Sequence, residues 1–222
     1  MFWVLKINTK KTKIMVFNFS QNFDFLPQLS FPGADPLEVI YKTKLLGITL
    51  TSNLSWAEHV DDVCRRATKK LWVLIQFKTL GGTTPQLVTV YQCRVRTILE
   101  FGAPVFHCGL TGDQSRQLEL VQKKALAIIL GRGYLNYESA LAQLQLDRLD
   151  TRRTKLSLNF AVSCTKSVKH KSMFPRNPDN GLNLRHPKIF AEPLCKTSRY
   201  FNSPVSYLSR LLNSKSSPLS LQ

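Results

Sequence analysis

The sequence predicts a mainly helical α+β fold, in which a small antiparallel sheet at the N-terminus precedes a helical bundle and an irregular basic tail. Residues 12–19 and 38–50 are rich in Val, Ile, Phe and Tyr, which favour strands. From Ser55 to Cys164, apolar residues instead recur at three- and four-residue steps, as in amphipathic helices. After Ser167 the periodicity stops and prolines interrupt the chain. We therefore divide the chain into residues 1–54, 55–165 and 166–222.

A turn-rich loop separates the two strand-like stretches. Residues 21–36 contain three prolines and one glycine, so we expect two or three short antiparallel strands around this loop. Such a sheet has an apolar face that needs cover, and several phenylalanines occur here: Phe17, Phe19, Phe23, Phe25 and Phe31. An exposed apolar sheet face would attract a protein partner or cause aggregation. We accordingly expect residues 55–165 alone to be more soluble than the full chain.

Four amphipathic helices are expected between residues 55 and 165. The first opens with a capping box at Ser55 and Glu58 and ends at Gly81-Gly82. The second opens at Thr84-Pro85 and is broken at Gly102 and Pro104. Their inward stripes are, respectively, Val60, Val63, Ala67, Leu71, Leu74 and Lys78, and Leu87, Tyr91, Val95 and Ile98.

The third helix is predicted to be capped by Thr111 and Gln114 and to stop at Gly131. The fourth is predicted as one stretch from about residue 139 to residue 164. Their inward stripes are Leu118, Val121, Ala125 and Ile128, and Leu141, Leu144, Leu149, Leu156 and Phe160. In the tail, the sequence predicts a helix only at residues 206–213.

The charge balance of the 222 residues favours a polyanionic partner. The chain has 31 Lys and Arg against 14 Asp and Glu, a formal net charge of +17. Residues 151–222 contain thirteen of the basic and two of the acidic side chains, which is typical of a basic tail. Each phosphate neutralised by such a chain releases condensed counterions, although an acidic membrane surface would attract it as well.

The sequence predicts neither a membrane span nor a disulfide framework. The apolar opening ends at Lys6, far short of the about 20 residues that cross a bilayer, and lacks the pattern of a signal peptide. The five cysteines are odd in number, scattered and without a CxxC pair, which indicates reduced thiols. A zinc site built from Cys164, His170, His186 and Cys195 matches no usual ligand spacing. We expect an intracellular protein, nuclear or cytoplasmic and not secreted, with no metal and no cofactor.

Several segments share their motifs with one protein family. Residues 5–17 read LKINTKKTKIMVF, residues 44–59 read KLLGITLTSNLSWAEH, and residues 98–131 combine an aromatic-Gly-x-Pro turn with a Gln-Lys-x-Ala helix. Residues 144–153 and 184–213 continue the pattern. Together they resemble the end of the palm, the thumb and the C-terminal tail of a non-LTR (LINE-type) retrotransposon reverse transcriptase.

The resemblance implies a thumb-like helical bundle and a set of motif remnants. Asn8, Lys11 and Lys13 would belong to the family's Asn-x-x-Lys stretch, in which the lysine lies near the incoming nucleotide. Leu46 and Gly47 would form the hairpin that grips the primer end, although Gly47 equally permits a tight backbone turn. The family's metal-binding aspartates precede the position of Asn8, so we expect a truncated remnant that does not polymerise DNA.

The candidate contacts to an RNA or DNA phosphate backbone are basic residues on the predicted helices: Lys69, Lys70, Lys123, Lys124, Arg152, Arg153 and Lys155. Their plain alternative is to solubilise an exposed face. Arg65 and Arg66 follow Asp61 and Asp62 closely enough for intrahelical ion pairs. A second function class stays open, a helical protein-interaction module or a fragment without a selected function. A metal-dependent enzyme is disfavoured, since Asp61-Asp62 and Asp147/Asp150 have ordinary capping or surface explanations.

Overall fold

The computed structural model describes residues 7–19, 29–31, 35–178 and 188–215. Within them the protein is mainly helical, with a small antiparallel sheet near the N-terminus followed by helices, which confirms the predicted fold class. The chain forms two compact units, residues 1–61 and 62–222. The described part of the predicted tail therefore belongs to the same unit as the helical bundle. None of the described helices combines the length and the apolar character needed to cross a bilayer.

The first unit contains two pairs of short strands. Strand β3 (Lys42–Leu45) pairs antiparallel with β4 (Ile48–Thr51), as predicted. The strand predicted within residues 12–19 is reduced to β1 (Lys13–Ile14), which pairs with β2 (Glu38–Val39) in parallel rather than antiparallel. A long connection permits this orientation, whereas a tight turn would impose an antiparallel one.

Leu46 and Gly47 form the two-residue turn between β3 and β4. Both have positive φ, 48° and 87°, which is the requirement of a type I′ hairpin turn. Glycine adopts such a φ without steric cost, so the turn itself accounts for Gly47. The Leu46 side chain is exposed to solvent.

Several apolar side chains of the first unit are exposed, as the sequence predicts. Phe17, Phe19, Tyr41 and Leu45 are each about half exposed or more. Phe31 is partly buried, and Phe23 and Phe25 lie outside the described residues. His59 is fully buried, and its Nδ1 accepts a hydrogen bond from the Thr49 N–H at 3.3 Å, a structural role.

Helix α1 (Ala57–Thr79) buries every apolar residue of its predicted stripe, Val60, Val63, Ala67, Leu71 and Leu74. The predicted capping box is formed only in part, since Ser55 Oγ accepts from the Ala57 N–H at 3.4 Å but Glu58 does not bond the Ser55 N–H. The Ser55 N–H donates to Asn53 Oδ1 at 3.0 Å, and the Glu58 carboxylate pairs with Lys42 instead. The Lys42 ammonium competes for the Glu58 carboxylate, and the Asn53 side chain accepts the Ser55 N–H in its place.

Helix α2 (Thr84–Tyr91) continues through a π-helical turn at Gln92–Arg96 into α3 (Thr97–Glu100). Its buried residues are Leu87, Tyr91, Val95 and Leu99, four residues apart throughout. The wider π turn moves the inward face by one residue, so Leu99 is buried where an unbroken α-helix predicts Ile98. Gly102, with φ 74°, ends this run before α4 (Ala103–Phe106).

Helix α5 (Gly112–Leu130) has the predicted capping box, in which Thr111 and Gln114 bond each other's backbone N–H groups. It ends at Gly131, as predicted. Gly131 has φ 57°, and a Cβ there would lie 2.6 Å from Lys78 Nζ. That ammonium donates to the carbonyls of Ile128 and Ile129 at 2.5 and 3.1 Å and so caps the end of α5.

The predicted fourth helix is two helices, α6 (Tyr137–Leu144) and α7 (Leu149–Lys166). Gln145, with a left-handed φ of 53°, ends α6. The break rotates the inward face of α7, so that its buried residues are Leu149, Arg153, Ser157, Leu158, Ala161 and Cys164. Leu156 is only partly buried and Phe160 is exposed, which corrects the predicted stripe.

The described tail packs onto α7. After a 3₁₀ turn at Lys171–Met173, residues 188–215 form α8 (Ser198–Phe201) and α9 (Pro204–Lys215), which includes the predicted helix at 206–213. Pro204 occupies the first position of α9, where the missing N–H costs nothing. Leu208 and Leu212 share one hydrophobic cluster with Phe174 and with Leu158, Ala161 and Cys164 of α7.

Candidate nucleic-acid interface

Lys69 and Lys70 lie on exposed positions of α1. The two arginines before them are both engaged by one carboxylate, since Asp62 lies 2.6 Å from Arg65 and 2.9 Å from Arg66. In the described part of the chain, no carboxylate lies within ion-pair distance of either lysine. Their ammonium groups are therefore open to an external anion.

Lys123 and Lys124 are exposed on α5 in the same unit. Lys123 Nζ lies 5.9 Å from the centre of the Tyr137 ring, within cation–π range. Arg148 lies 5.8 Å from the same ring but also pairs with Glu138 at 2.8 Å. Neither lysine forms an ion pair with a described carboxylate, so both remain candidates for phosphate contact.

Arg153 is a core residue and has no exposed surface. Its guanidinium donates to Ser115 Oγ at 2.9 Å and to His107 Nδ1 at 3.4 Å. The prediction that Arg153 contacts a phosphate is corrected on this ground. Residue type led to this prediction, because arginine is seldom buried. Its position, four residues after the buried Leu149, places it on the inward face of α7.

Arg152 and Lys155 are both paired within the protein. The Arg152 guanidinium grips the Glu100 carboxylate at both oxygens, and this hydrogen bonding raises the pKa of Arg152. Lys155 Nζ lies 2.8 Å from Asp147 Oδ2, and the resulting hydrogen bond lowers the pKa of Asp147. A phosphate would have to compete with a carboxylate for each cation, so both are weaker candidates than the four lysines.

The motif remnants have local partners in the first unit. Asn8 caps a 3₁₀ turn, since its Oδ1 accepts from the Lys11 N–H at 3.3 Å. The Lys13 ammonium lies 2.7 Å from the Glu38 carboxylate across the β1–β2 pair. Lys11 is exposed, and Leu46 and Gly47 form the type I′ turn.

A largely buried polar network joins α5, which carries Lys123 and Lys124, to α2, α6 and the start of α7. The Tyr91 hydroxyl bonds Gln122 Oε1, and Gln122 Nε2 donates to the Tyr137 hydroxyl at 2.9 Å and to the Asp147 carbonyl at 3.0 Å. Tyr137 in turn bonds Glu119, whose other oxygen accepts the Asp150 N–H at 2.8 Å. Burial raises the pKa of both tyrosines, which stay neutral. Gln122 is buried on α5 beside Val121. Because glutamine is polar, the sequence offers no reason to place it in the core.

His107 is held neutral beside Arg153. Its Nε2 lies 3.0 Å from Thr154 Oγ1, and the hydroxyl of Thr154 donates to the Asp150 carbonyl. Nε2 therefore carries the proton, and Nδ1 accepts from Arg153. Burial first, and the Arg153 charge second, lower the pKa of His107 from 6.5 to about 4.

We expect the free energy of unfolding to fall as the pH drops from about 6.5 to about 4. In this window the unfolded chain binds a proton at His107 and the folded chain does not, so acid favours unfolding. Urea denaturation across the window should show a shallower pH dependence for His107→Asn than for the wild-type protein. The exposed His170→Asn variant serves as the control and should keep the wild-type dependence. Identical pH profiles for all three proteins would contradict this role of His107.

Among the described residues, no group of three or more His, Cys, Asp or Glu side chains is placed to hold a metal ion. Of the disfavoured zinc set, Cys164 is buried in the cluster beneath α9, and His186 lies outside the described residues. Comparisons with protein-family models, with curated proteins and with solved structures find no match.

Proposed function

We propose that this chain binds RNA or DNA through the phosphate backbone, with little readout of base sequence. The observation that carries the proposal is the exposure of Lys69, Lys70, Lys123 and Lys124 without a carboxylate partner among the described residues. In a chain with a net charge of +17, these are preformed positions for phosphate.

The acidic residues strengthen this assignment because most of them are already neutralised. Described carboxylates that form ion pairs are Glu38, Glu58, Asp62, Glu100, Asp113, Glu138, Asp147, Asp150 and Glu192. The repulsion that free carboxylates would exert on a polyanion is thereby reduced, while the four lysines keep their charge available.

The resemblance to the palm end and thumb of LINE-type reverse transcriptases supports the same partner class. On this proposal the chain acts inside the cell and shares with such an enzyme an affinity for the nucleic-acid backbone. Asn8, Lys11, Lys13, Leu46 and Gly47 would then be inherited positions without a catalytic task.

Replacing the four lysines together with glutamine tests the proposal. Each lost phosphate contact lowers the log–log salt slope of single-strand binding by about 0.7, so loss of all four should lower it by about 3. Fluorescence anisotropy with one labelled RNA at several salt concentrations measures this slope. Helicity should persist, because lysine and glutamine have similar helix propensities.

A matched control removes the same number of charges from cations that are ion-paired. Lys42, Arg116, Arg148 and Lys188 are exposed and each lies within 4 Å of a carboxylate. Their quadruple glutamine variant has the same net charge as the four-lysine variant. We expect a much smaller change in slope for this control. Equal changes in the two variants would mean that net charge, rather than the four lysines, governs binding.

The alternative function is a protein-interaction module, and the exposed apolar residues of the first unit favour it. Phe17, Tyr41 and Leu45 are 46%, 63% and 57% exposed, and apolar side chains left in solvent are candidate contacts for a protein partner. On this alternative, RNA binding would be weak and nearly independent of salt.

A further inference from the structure

The solvent face of α1 carries a residue that packing does not explain. Trp72 is 63% exposed, although the buried stripe of the same helix is complete on the other side. A tryptophan left in water forgoes a large gain from burial, and a polar residue would be expected at this position. The exposed indole is therefore available for contact with a molecule outside the described residues.

Cations flank Trp72 on its own face. Lys69 lies three residues before it. Arg65, whose guanidinium also pairs with Asp62 at 2.6 Å, lies four residues before Lys69, so the three side chains occupy successive turns. Gln76, one turn after Trp72, is also exposed and adds a hydrogen-bonding amide. This face of α1 therefore combines positive charge with one flat aromatic surface.

We infer that this face, Arg65, Lys69, Trp72 and Gln76, binds single-stranded nucleic acid, with Trp72 stacking on an unpaired base. The inference rests on the proposed function and narrows its substrate class. A positively charged track that follows the backbone, combined with an aromatic ring for the bases, is how proteins bind single strands without sequence preference. In a duplex both faces of each base are already stacked, so the indole gains nothing there.

A protein partner fits this face less well. Ile75 and Leu80 are exposed on α1 too and would suit an apolar partner. However, the charges beside Trp72 are positive, the whole chain has an excess of +17, and Lys69 has no carboxylate partner in the described part. Charge complementarity therefore favours a polyanion that also presents a flat apolar surface, and an unpaired nucleotide strand has both properties.

The test compares Trp72→Ala with the wild-type full chain on a single-stranded RNA and on a duplex of the same length. We expect about tenfold weaker binding to the single strand, with an unchanged salt slope, and no change for the duplex. Alanine is the best helix former, so the exposed substitution leaves α1 intact. The affinity of Trp72→Phe for the single strand should lie between those of Trp72→Ala and the wild-type protein, since a smaller ring still stacks. Tryptophan fluorescence quenched by the single strand should lose its main component in Trp72→Phe.

Phe160→Ala is the matched control. Phe160 is an exposed aromatic on α7 of the same unit, 45% accessible, and none of its neighbours one turn away is a cation. It should bind both nucleic acids like the wild-type protein. Equal losses in Trp72→Ala and Phe160→Ala, or equal losses on single strand and duplex, would overturn the inference.

The outcome separates this inference from the proposed function. If the four-lysine variant loses salt slope but Trp72→Ala binds like the wild-type protein, backbone binding stands and base stacking is wrong. If the wild-type chain shows no salt-dependent binding to the single strand or to the duplex, the proposed function itself fails. If Trp72→Ala impairs a protein contact and leaves RNA binding unchanged, the face is a protein-docking surface and the inference is overturned.

Discussion

Replacing Arg153 with alanine is expected to lower the free energy of unfolding by about 3 kcal/mol, the largest effect of any single cation in this chain. The side chain is fully buried and donates to Ser115 and His107. Alanine leaves a cavity of several methylene groups and removes the donor from two partly buried acceptors. Urea denaturation followed by circular dichroism measures the loss.

Arg153→Met separates packing from charge. Methionine fills most of the arginine volume, and replacing a buried charge with an apolar side chain of similar size is often nearly neutral. We therefore expect Arg153→Met to be much more stable than Arg153→Ala and to keep the wild-type salt slope of RNA binding. A lowered salt slope of RNA binding in a folded Arg153→Met protein would mean that Arg153 contacts the phosphate backbone after all.

This result also changes what a combined variant of Arg152, Arg153 and Lys155 can report. From the sequence, neutralising all three would remove phosphate contacts. In the structure it breaks the Arg152–Glu100 pair and the hydrogen bonds of Arg153. Loss of binding in that variant would chiefly reflect loss of the fold, so the four exposed lysines are the informative set.

A chain that ends at residue 165 is expected to lose most of its stability and to become less soluble. Leu208 and Leu212 of α9 cover Leu158, Ala161 and Cys164 of α7, and their removal exposes this cluster. The sequence predicted a more soluble fragment from residue 55 to residue 165, because this fragment lacks the exposed phenylalanines of the first unit. That reasoning took no account of the cluster beneath α9. The effect is measured by comparing the soluble fraction and the unfolding midpoint of the full chain with those of the chain that ends at residue 165.

A pair of single substitutions isolates the contribution of α9. Leu208→Ala should cost about 3 kcal/mol, within the range of buried leucine truncations. Leu194→Ala, in the same segment but 85% exposed, should cost little. Similar unfolding midpoints for both variants would show that α9 does not stabilise α7.

Local chemistry determined the parts of the fold that depend on neighbours in sequence. The capping box at Thr111 and Gln114, the stop at Gly131, the stripe of α1 and the helix at 206–213 could all be predicted because each rests on contacts within a turn or two. The free state of Lys69 and Lys70 followed from the same short-range reasoning about Asp62.

Other features depended on where the chain turned. The π turn at Gln92–Arg96 buried Leu99 rather than Ile98, and the left-handed Gln145 rotated the buried face of α7 away from Leu156 and Phe160. The spacing of apolar residues does not reveal a one-residue shift in helical register, and such a shift moves each side chain by about 100° around the helix axis. Arg153 lies on the same helix face as Leu149, four residues earlier. The prediction nevertheless placed it outside, because arginine is seldom buried.

The sequence by itself determined the polyanion-attracting charge, the helical class and the lysines that no nearby carboxylate can reach. Only the tertiary structure decided which cations are available, because Glu100 and Asp147 meet Arg152 and Lys155 from 52 and 8 residues away. It likewise decided that the tail is part of the core and that Trp72 is left in solvent. Charge and periodicity are properties of the chain, whereas burial and pairing depend on which distant segments pack together.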